Sequence, residues 1–466
     1  PHRTSMALRV ASVLRCGWRG LLESSAATST PAAAAAVASS LVAAGFDSPT
    51  AIQRLSVPQI REANDVVVVA ETGSGKTLAY LAPMSAHALG NGGAAVEAEG
   101  SLGPGGAAVQ PETSRRGPTG LVVAPSHELC VQVAAVYDRV LGPLGTSASV
   151  LSSSSPLELR ADTAVVVGTP GALARQALDE LLPDLTTVVF DEADALLGSS
   201  ESAVWQIASM FRHFKRVPPR PGWRRVRGTR RDGPPQLVFV GATVPGGSKK
   251  AVLEQITTAL PRITTVRTDG AHALVPTMRH RIVRVPKPHT VHAIYPKLEV
   301  LREALADVMA AGPVGTILVF ANTVARAELV AAEVAKWGFR AAELHKNVPP
   351  DARQEIVAAV AGGDPTAPQL LVATDVAARG LDIPTITHVV QFDFARDVSS
   401  FIHRVGRTAR NGGKGDAISL VEHTDRLGDM VAQGLVAADD AAPPLDPLFS
   451  RRRGLRRRSK RATGRQ

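Results

Sequence analysis

The chain is expected to be an α/β protein built from two tandem doubly wound domains, each around a parallel sheet. Two patterns lead there. Short runs of four or five residues, rich in valine and without polar alternation, suit strands buried on both faces. Alanine-rich stretches of helical character separate these runs, and the alternation occurs twice. Strands are expected in the first half at Val66–Val69, Leu121–Ala124, Ala164–Val167, Thr187–Phe190 and Leu237–Val240. In the second they fall at Thr316–Phe320, Arg340–Leu344, Leu370–Ala373, Thr387–Gln391 and Ala417–Val421. Pro276, Pro286, Pro288 and Pro296 suggest an extended, flexible linker over residues 269–295, dividing a domain of residues 41–268 from one of 296–436.

Bulk properties narrow the class. With 466 residues, 45% of them apolar, each domain has ample material for a core. Cys16 and Cys130 are the only cysteines, so neither a disulfide framework nor a zinc cluster is available. No apolar stretch approaches the roughly 20 residues of a membrane span, and no membrane partner is expected. The net charge of +10 sits in the appendages: residues 1–40 carry +3 and residues 451–466 carry +9, leaving −2 for the body. The Ala/Ser/Arg-rich residues 1–40 have the composition of a disordered organelle transit peptide, which points to a chloroplast or mitochondrion ahead of nucleus or cytoplasm. The basic tail, within a disordered segment 437–466, is suited to non-specific contact with polyanions. Two inserts interrupt the first half. Gly90–Gly120 has loop composition, and Lys215–Gln236 sets eight basic residues around Trp223.

The chemistry lies at the ends of the strands. After Val66–Val69 comes Ala70-Glu71-Thr72-Gly73-Ser74-Gly75-Lys76-Thr77, and then a helical pattern. Strand, glycine turn and helix start make an anion cradle of free backbone N–H groups. There Lys76 can reach β- and γ-phosphates and the Thr77 hydroxyl can ligate Mg²⁺. Asp191-Glu192-Ala193-Asp194 follows Thr187–Phe190. Asp191 is placed to hold Mg²⁺ through water, and Glu192 to orient or deprotonate the attacking water. Together these motifs describe a nucleotide triphosphatase that works with Mg²⁺.

From about Leu41 to about Leu435 the chain resembles the DEAD-box ATP-dependent RNA helicases, which implies two RecA-like domains. Gly45-Phe46-Asp47-Ser48-Pro49-Thr50-Ala51-Ile52-Gln53 is similar to the family's adenine-reading Q motif, with Gln53 facing the base and Phe46 stacking on it. His403-Arg404-Val405-Gly406-Arg407-Thr408-Ala409-Arg410 resembles the arginine-finger motif, implying that Arg407 and Arg410 neutralise charge on the γ-phosphoryl. Thr374-Asp375-Val376-Ala377-Ala378-Arg379-Gly380-Leu381-Asp382 matches a segment facing both ligands: Thr374, Arg379 and Gly380 toward RNA, Asp382 toward nucleotide. The resemblance also places Pro125, Ser126, Thr169, Gly171, Asn322, Thr323 and Arg353 against the RNA backbone.

The resemblance further implies that RNA activates hydrolysis by bringing the two domains together. Four positions depart from the family pattern: His127 for arginine, Ser152–Ser155 for a glycine pair, Pro350 for glutamine, and Gly241 for the serine of Ser-Ala-Thr. The last removes a side-chain hydrogen bond worth about 0.5–1.5 kcal/mol, enough to weaken coupling without abolishing catalysis. Expected, then, is an RNA-stimulated ATPase that unwinds or remodels short duplexes, with organellar ribosomal RNA maturation and ribosome-assembly intermediates as its setting. The alternative is an ATP-gated RNA clamp or assembly scaffold with weak unwinding.

Overall fold

The computed structural model describes residues 17–23, 29–90, 117–151, 159–175, 185–197, 235–243, 252–268, 274, 277–287, 295–378, 383–410 and 413–436. The chain divides into two compact units, the first drawn from residues before Thr268 and the second mainly from Thr268 onward. Of the inserts Gly90–Gly120 and Lys215–Gln236, residues 91–116 and 215–234 lie outside the described residues, as does the tail at 437–466.

The first unit is a seven-stranded sheet in the order β3-β4-β2-β5-β6-β1-β7. Its strands are β1 (Val66–Val69), β2 (Gly120–Val123), β3 (Ser147–Leu151), β4 (Thr163–Gly168), β5 (Thr187–Phe190), β6 (Gln236–Gly241) and β7 (Thr264–Arg267). Every pairing is parallel. The central strands are buried along their whole length, which is why their sequences are unbroken apolar runs. Five of the seven strands occupy the expected places. The two further strands, β3 and β7, form the sheet edges and carry serine, threonine and arginine. Parallel order puts all the strand-to-helix loops on one rim, where ligands of doubly wound sheets bind.

Residues 1–40 were expected to be disordered, and the described part is not. Helix α1 (Trp18–Glu23) buries Trp18, Leu21 and Leu22. Helix α2 (Pro31–Ala43) begins at Thr30, whose hydroxyl accepts from Ala33 N at 3.2 Å, and has Pro31 in its first turn. Its buried face is Ala33, Ala34, Val37, Ala38 and Leu41. Alanine reads as low complexity in composition, yet it has the highest helix propensity and lets neighbouring backbones pack closely. Helix α3 (Ala51–Arg61) follows, then β1 and helix α4 (Lys76–Gly90).

The second unit is a six-stranded parallel sheet in the order β10-β11-β9-β12-β13-β8. It contains β9 (Thr316–Phe320), β10 (Ala341–Leu344), β11 (Leu370–Ala373), β12 (Ile386–Gln391) and β13 (Gly415–Val421), all foreseen to within two residues. The sixth, β8 (Met278–Arg284), falls inside the segment expected to be a linker and pairs with β13 over its full length. It is an edge strand, where half-exposed residues alternate with exposed arginines and flanking prolines cost no ladder bond. Apolar clusters cover both faces of the sheet.

Candidate active site

Five loops on the C-terminal rim of the first sheet carry the predicted motifs. The phosphate loop connects β1 to α4, with Gly73 and Gly75 in the left-handed region at φ 77° and 87°. Ser74 Oγ donates to Glu71 O at 2.8 Å, closing the turn. Gln53 braces the loop from α3: its Nε2 donates to Gly75 O at 2.8 Å while its Oε1 accepts from Thr50 N at 2.7 Å. Thr50 and Gln53 thus form a capping box. The glutamine expected to read adenine is engaged within the protein at both ends of its amide, with one N–H still to spare. Phe46 is half-buried, with the Arg139 guanidinium 5.8 Å from its ring centroid. Its carbonyl accepts from Trp18 Nε1 at 2.8 Å, so α1 holds the Q-motif loop.

Lys76 and Thr77 open α4, and Asp191 follows β5, two strands from β1 in the sheet order. Both Asp191 carboxylate oxygens are held: Oδ1 accepts from Glu192 N at 2.9 Å and Oδ2 from the Tyr80 hydroxyl at 2.8 Å. Burial pushes Asp191 up to about 6 against the Tyr80 hydrogen bond, and the Glu192 charge adds to the rise. Glu192 adopts φ 46°, a left-handed conformation of a kind retained at functional sites at a cost of about 1–3 kcal/mol. Tyr80 was not foreseen; its one sequence signal is its place three residues after Thr77 on the same helical face. The lone described cysteine, Cys130, is inert, burial pushing its thiol up to about 12.

The RNA-facing candidates of the first unit sit on the neighbouring loops. Pro125 and Ser126 follow β2, and Ser126 caps helix α5 (His127–Leu141) by accepting from Leu129 N at 3.3 Å. Thr169 follows β4 and accepts from Ala172 N at 3.3 Å, capping helix α6 (Pro170–Arg175), within which Gly171 faces open space. Each cap presents backbone N–H groups at a helix start, suited to phosphate. Gly241 ends β6, and Thr243 just beyond it is fully buried.

The second unit gathers its candidates around one arginine. Arg404, at 1% exposure on helix α10 (Val398–Val405), forks onto Asp375 with Nε–Oδ1 of 2.6 Å and Nη2–Oδ2 of 2.8 Å. It also donates to Asp393 O and to Asn322 Oδ1, both at 2.6 Å, and lies 5.1 Å from the Phe320 ring centroid. Asn322 Nδ2 donates to Phe394 O at 3.1 Å, so this amide, expected to contact RNA, is spent on the loop's own architecture. Thr323 caps helix α8 (Val324–Lys336), the one following helix α7 (Tyr295–Ala310), by accepting from Arg326 N at 3.3 Å. Its hydroxyl proton stays available. Arg353 lies in helix α9 (Pro350–Ala361), where Pro350 sits in the first turn, a position that needs no N–H. Thr374 follows β11 and is buried.

Arg407 and Arg410 follow α10, each folding its Nε back 3.0 Å onto a carbonyl four residues earlier, His403 O and Gly406 O. Asp393 anchors a cluster beside Asn322. Burial would raise its carboxyl, but buried Lys297 at 3.1 Å, the Asn322 N–H and Arg326 hold it below the ordinary carboxylate range. The candidates Arg379, Gly380 and Asp382 lie outside the described residues.

Comparison with known proteins agrees with this reading. The DEAD/DEAH box helicase model matches residues 50–251, and the helicase conserved C-terminal domain model matches residues 296–412. The chain is 31% identical to ATP-dependent RNA helicase DBP8 of Debaryomyces hansenii over 81% of its own length and 77% of the relative's. This chain belongs to the DEAD-box ATP-dependent RNA helicases. DEAD-box ATP-dependent RNA helicase 22 of Oryza sativa subsp. japonica is 29% identical, with 91% of this chain and 82% of the relative covered. Among solved structures, S. cerevisiae Dbp5 bound to RNA and ADP BeF3 aligns with a TM-score of 0.63 at 24% identity, covering 85% of this chain and 89% of that one. Mss116p bound to single-stranded RNA and AMP-PNP aligns at 0.66 and 17% identity, covering 87% and 76%. Both share the fold of tandem RecA-like domains. The protein is therefore an ATP-dependent RNA helicase, with ATP as its nucleotide and RNA as its partner.

Proposed function

We propose that this DEAD-box helicase hydrolyses ATP when RNA binds, and uses the cycle to open or remodel short RNA duplexes. The observation that best supports the reading is the grouping of Lys76, Thr77, Asp191 and Glu192 on one rim of a parallel sheet, with Asp191 buried and pinned. Lys76 holds the terminal phosphates, and Glu192 accepts the proton of the attacking water. The donor set fits Mg²⁺, a hydroxyl and a carboxylate being hard oxygen ligands. Thr77 and Asp191 would hold that ion, which when bound would screen the charge of the β- and γ-phosphates. Arg407 and Arg410 neutralise charge on the γ-phosphoryl, and Asp382 with Gln53 and Phe46 completes nucleotide binding.

Ser126, Thr169, Thr323 and Thr374, with Arg353, Arg379 and Gly380, bind the ribose-phosphate backbone without reading sequence. The basic tail adds non-specific affinity that falls with salt. The Ala/Ser/Arg-rich start supports an organellar setting, with ribosomal RNA maturation and assembly intermediates as substrates. A second reading, an ATP-gated RNA clamp, is favoured by Gly241 and His127, which remove a hydroxyl and a fixed positive charge from the coupling motifs.

Parallel ATPase and duplex-release assays test both. RNA-stimulated hydrolysis with release supports the helicase reading, and hydrolysis without release supports the clamp. Arg407→Ala and Arg410→Ala are expected to retain nucleotide binding and lose RNA-stimulated turnover. Unchanged turnover in both would remove the finger assignment. Crosslinking and sequencing of bound RNA in cells identifies the substrate.

A further inference from the structure

We propose that Tyr80 is a positioning residue of the metal site, its phenol fixing the Asp191 carboxylate. The inference rests on the reading of Asp191 as a Mg²⁺-binding residue. Tyr80 is completely buried, and its hydroxyl lies 2.8 Å from Asp191 Oδ2.

The direction of this bond follows from donor count. An ionised carboxylate only accepts, and a phenol has one proton. Tyr80 therefore donates to Asp191. Asp191 is held at its other oxygen by Glu192 N at 2.9 Å, so neither ring-like rotation nor tilting of the carboxylate is free. A phenylalanine at position 80 fills the same space but does not supply this bond. The carboxylate would then be held at one oxygen only, its remaining order would fall to the ion, and the ion's affinity would drop.

The test is full-length Tyr80→Phe against wild type, each titrated with a fluorescent ADP analogue from chelator into rising Mg²⁺. Signals are normalised to the ADP bound in chelator, so any difference in folded protein cancels. The expected result is unchanged affinity in chelator and a Mg²⁺ midpoint raised by about tenfold, the order of one hydrogen bond to a charged group. Direct Mn²⁺ binding to the ADP complex, read by electron paramagnetic resonance, should weaken in parallel. Equal midpoints in the two proteins would overturn the proposal and leave Tyr80 as a packing residue. A wild type whose ADP affinity ignores Mg²⁺ would overturn the metal reading beneath it instead, and the proposal with it.

Discussion

Replacing Gly75 by alanine separates two reasons for a glycine in the phosphate loop. Its φ of 87° places it in the left-handed region, where an L side chain costs about 1–2 kcal/mol. A Cβ built there would also lie 2.5 Å from Gln53 Nε2, too close for the glutamine to stay. Displacing Gln53 breaks its bonds to Gly75 O and Thr50 N, at about 0.5–1.5 kcal/mol each. The sum is about 2–5 kcal/mol, which predicts an ATP-analogue affinity at least roughly thirtyfold weaker. In a Gln53→Ala background the collision and both side-chain bonds are already gone. Gly75→Ala should then cost only the backbone share, about 1–2 kcal/mol. The assay is a double-mutant cycle on nucleotide Kd by fluorescence titration. An equal loss in both backgrounds would refute the account of Gln53 as the loop's brace.

Three further outcomes are expected. Arg404→Met should destabilise the second unit by about 3–5 kcal/mol, because it strands Asp375 and Asn322; Arg404→Lys should recover only part, an ammonium being unable to fork, and thermal melting of the two variants checks this. Asp191 gives a pH signature. Its carboxyl is raised from 3.8 to about 6 when folded, so the native state keeps a proton that the unfolded chain has lost. Stability of the metal-free protein should therefore fall as pH rises from about 4 to about 6, by on the order of 3 kcal/mol. Urea denaturation of Asp191→Asn should show that slope flattened, and an unchanged slope would reject the assignment. Finally, Trp18→Ala should cost about 3–5 kcal/mol by loss of a buried indole, measured by chemical denaturation. Trp18→Phe should cost about 1 kcal/mol, chiefly the bond to Phe46 O.

What could be read in the chain depended on how completely each segment is enclosed. β1, β5, β9 and β11 match their expected bounds because every residue in them is buried, leaving an uninterrupted apolar signal. The strands that escaped notice, β3, β7 and β8, all lie at sheet edges: β7 and β8 alternate covered with exposed residues, and β3 buries serines such as Ser149, hydrogen-bonded to Thr163 at 3.0 Å, that break its apolar signal. The prolines beside β8 pointed to a linker, since proline marks irregular chain and strand borders alike. Composition also misled at α1 and α2, because it does not distinguish an alanine-rich leader from an alanine-rich packed helix. Within the site, residue identities were legible but their occupancies were not. Nothing in the sequence says that Asn322 spends its amide on Arg404 and Phe394, or that Gln53 spends its own on Gly75 and Thr50. Such commitments arise from contacts between distant loops.

The one-way run of the first sheet has an evolutionary corollary. Gly120 opens β2 and Gln236 opens β6. Those strand starts lie at the margin opposite the one that carries Lys76, Asp191 and Thr169. Sequence can be gained or lost at those entry points without re-tuning the chemistry, and a DEAD-box enzyme can acquire a new clientele while its motor stays as it was.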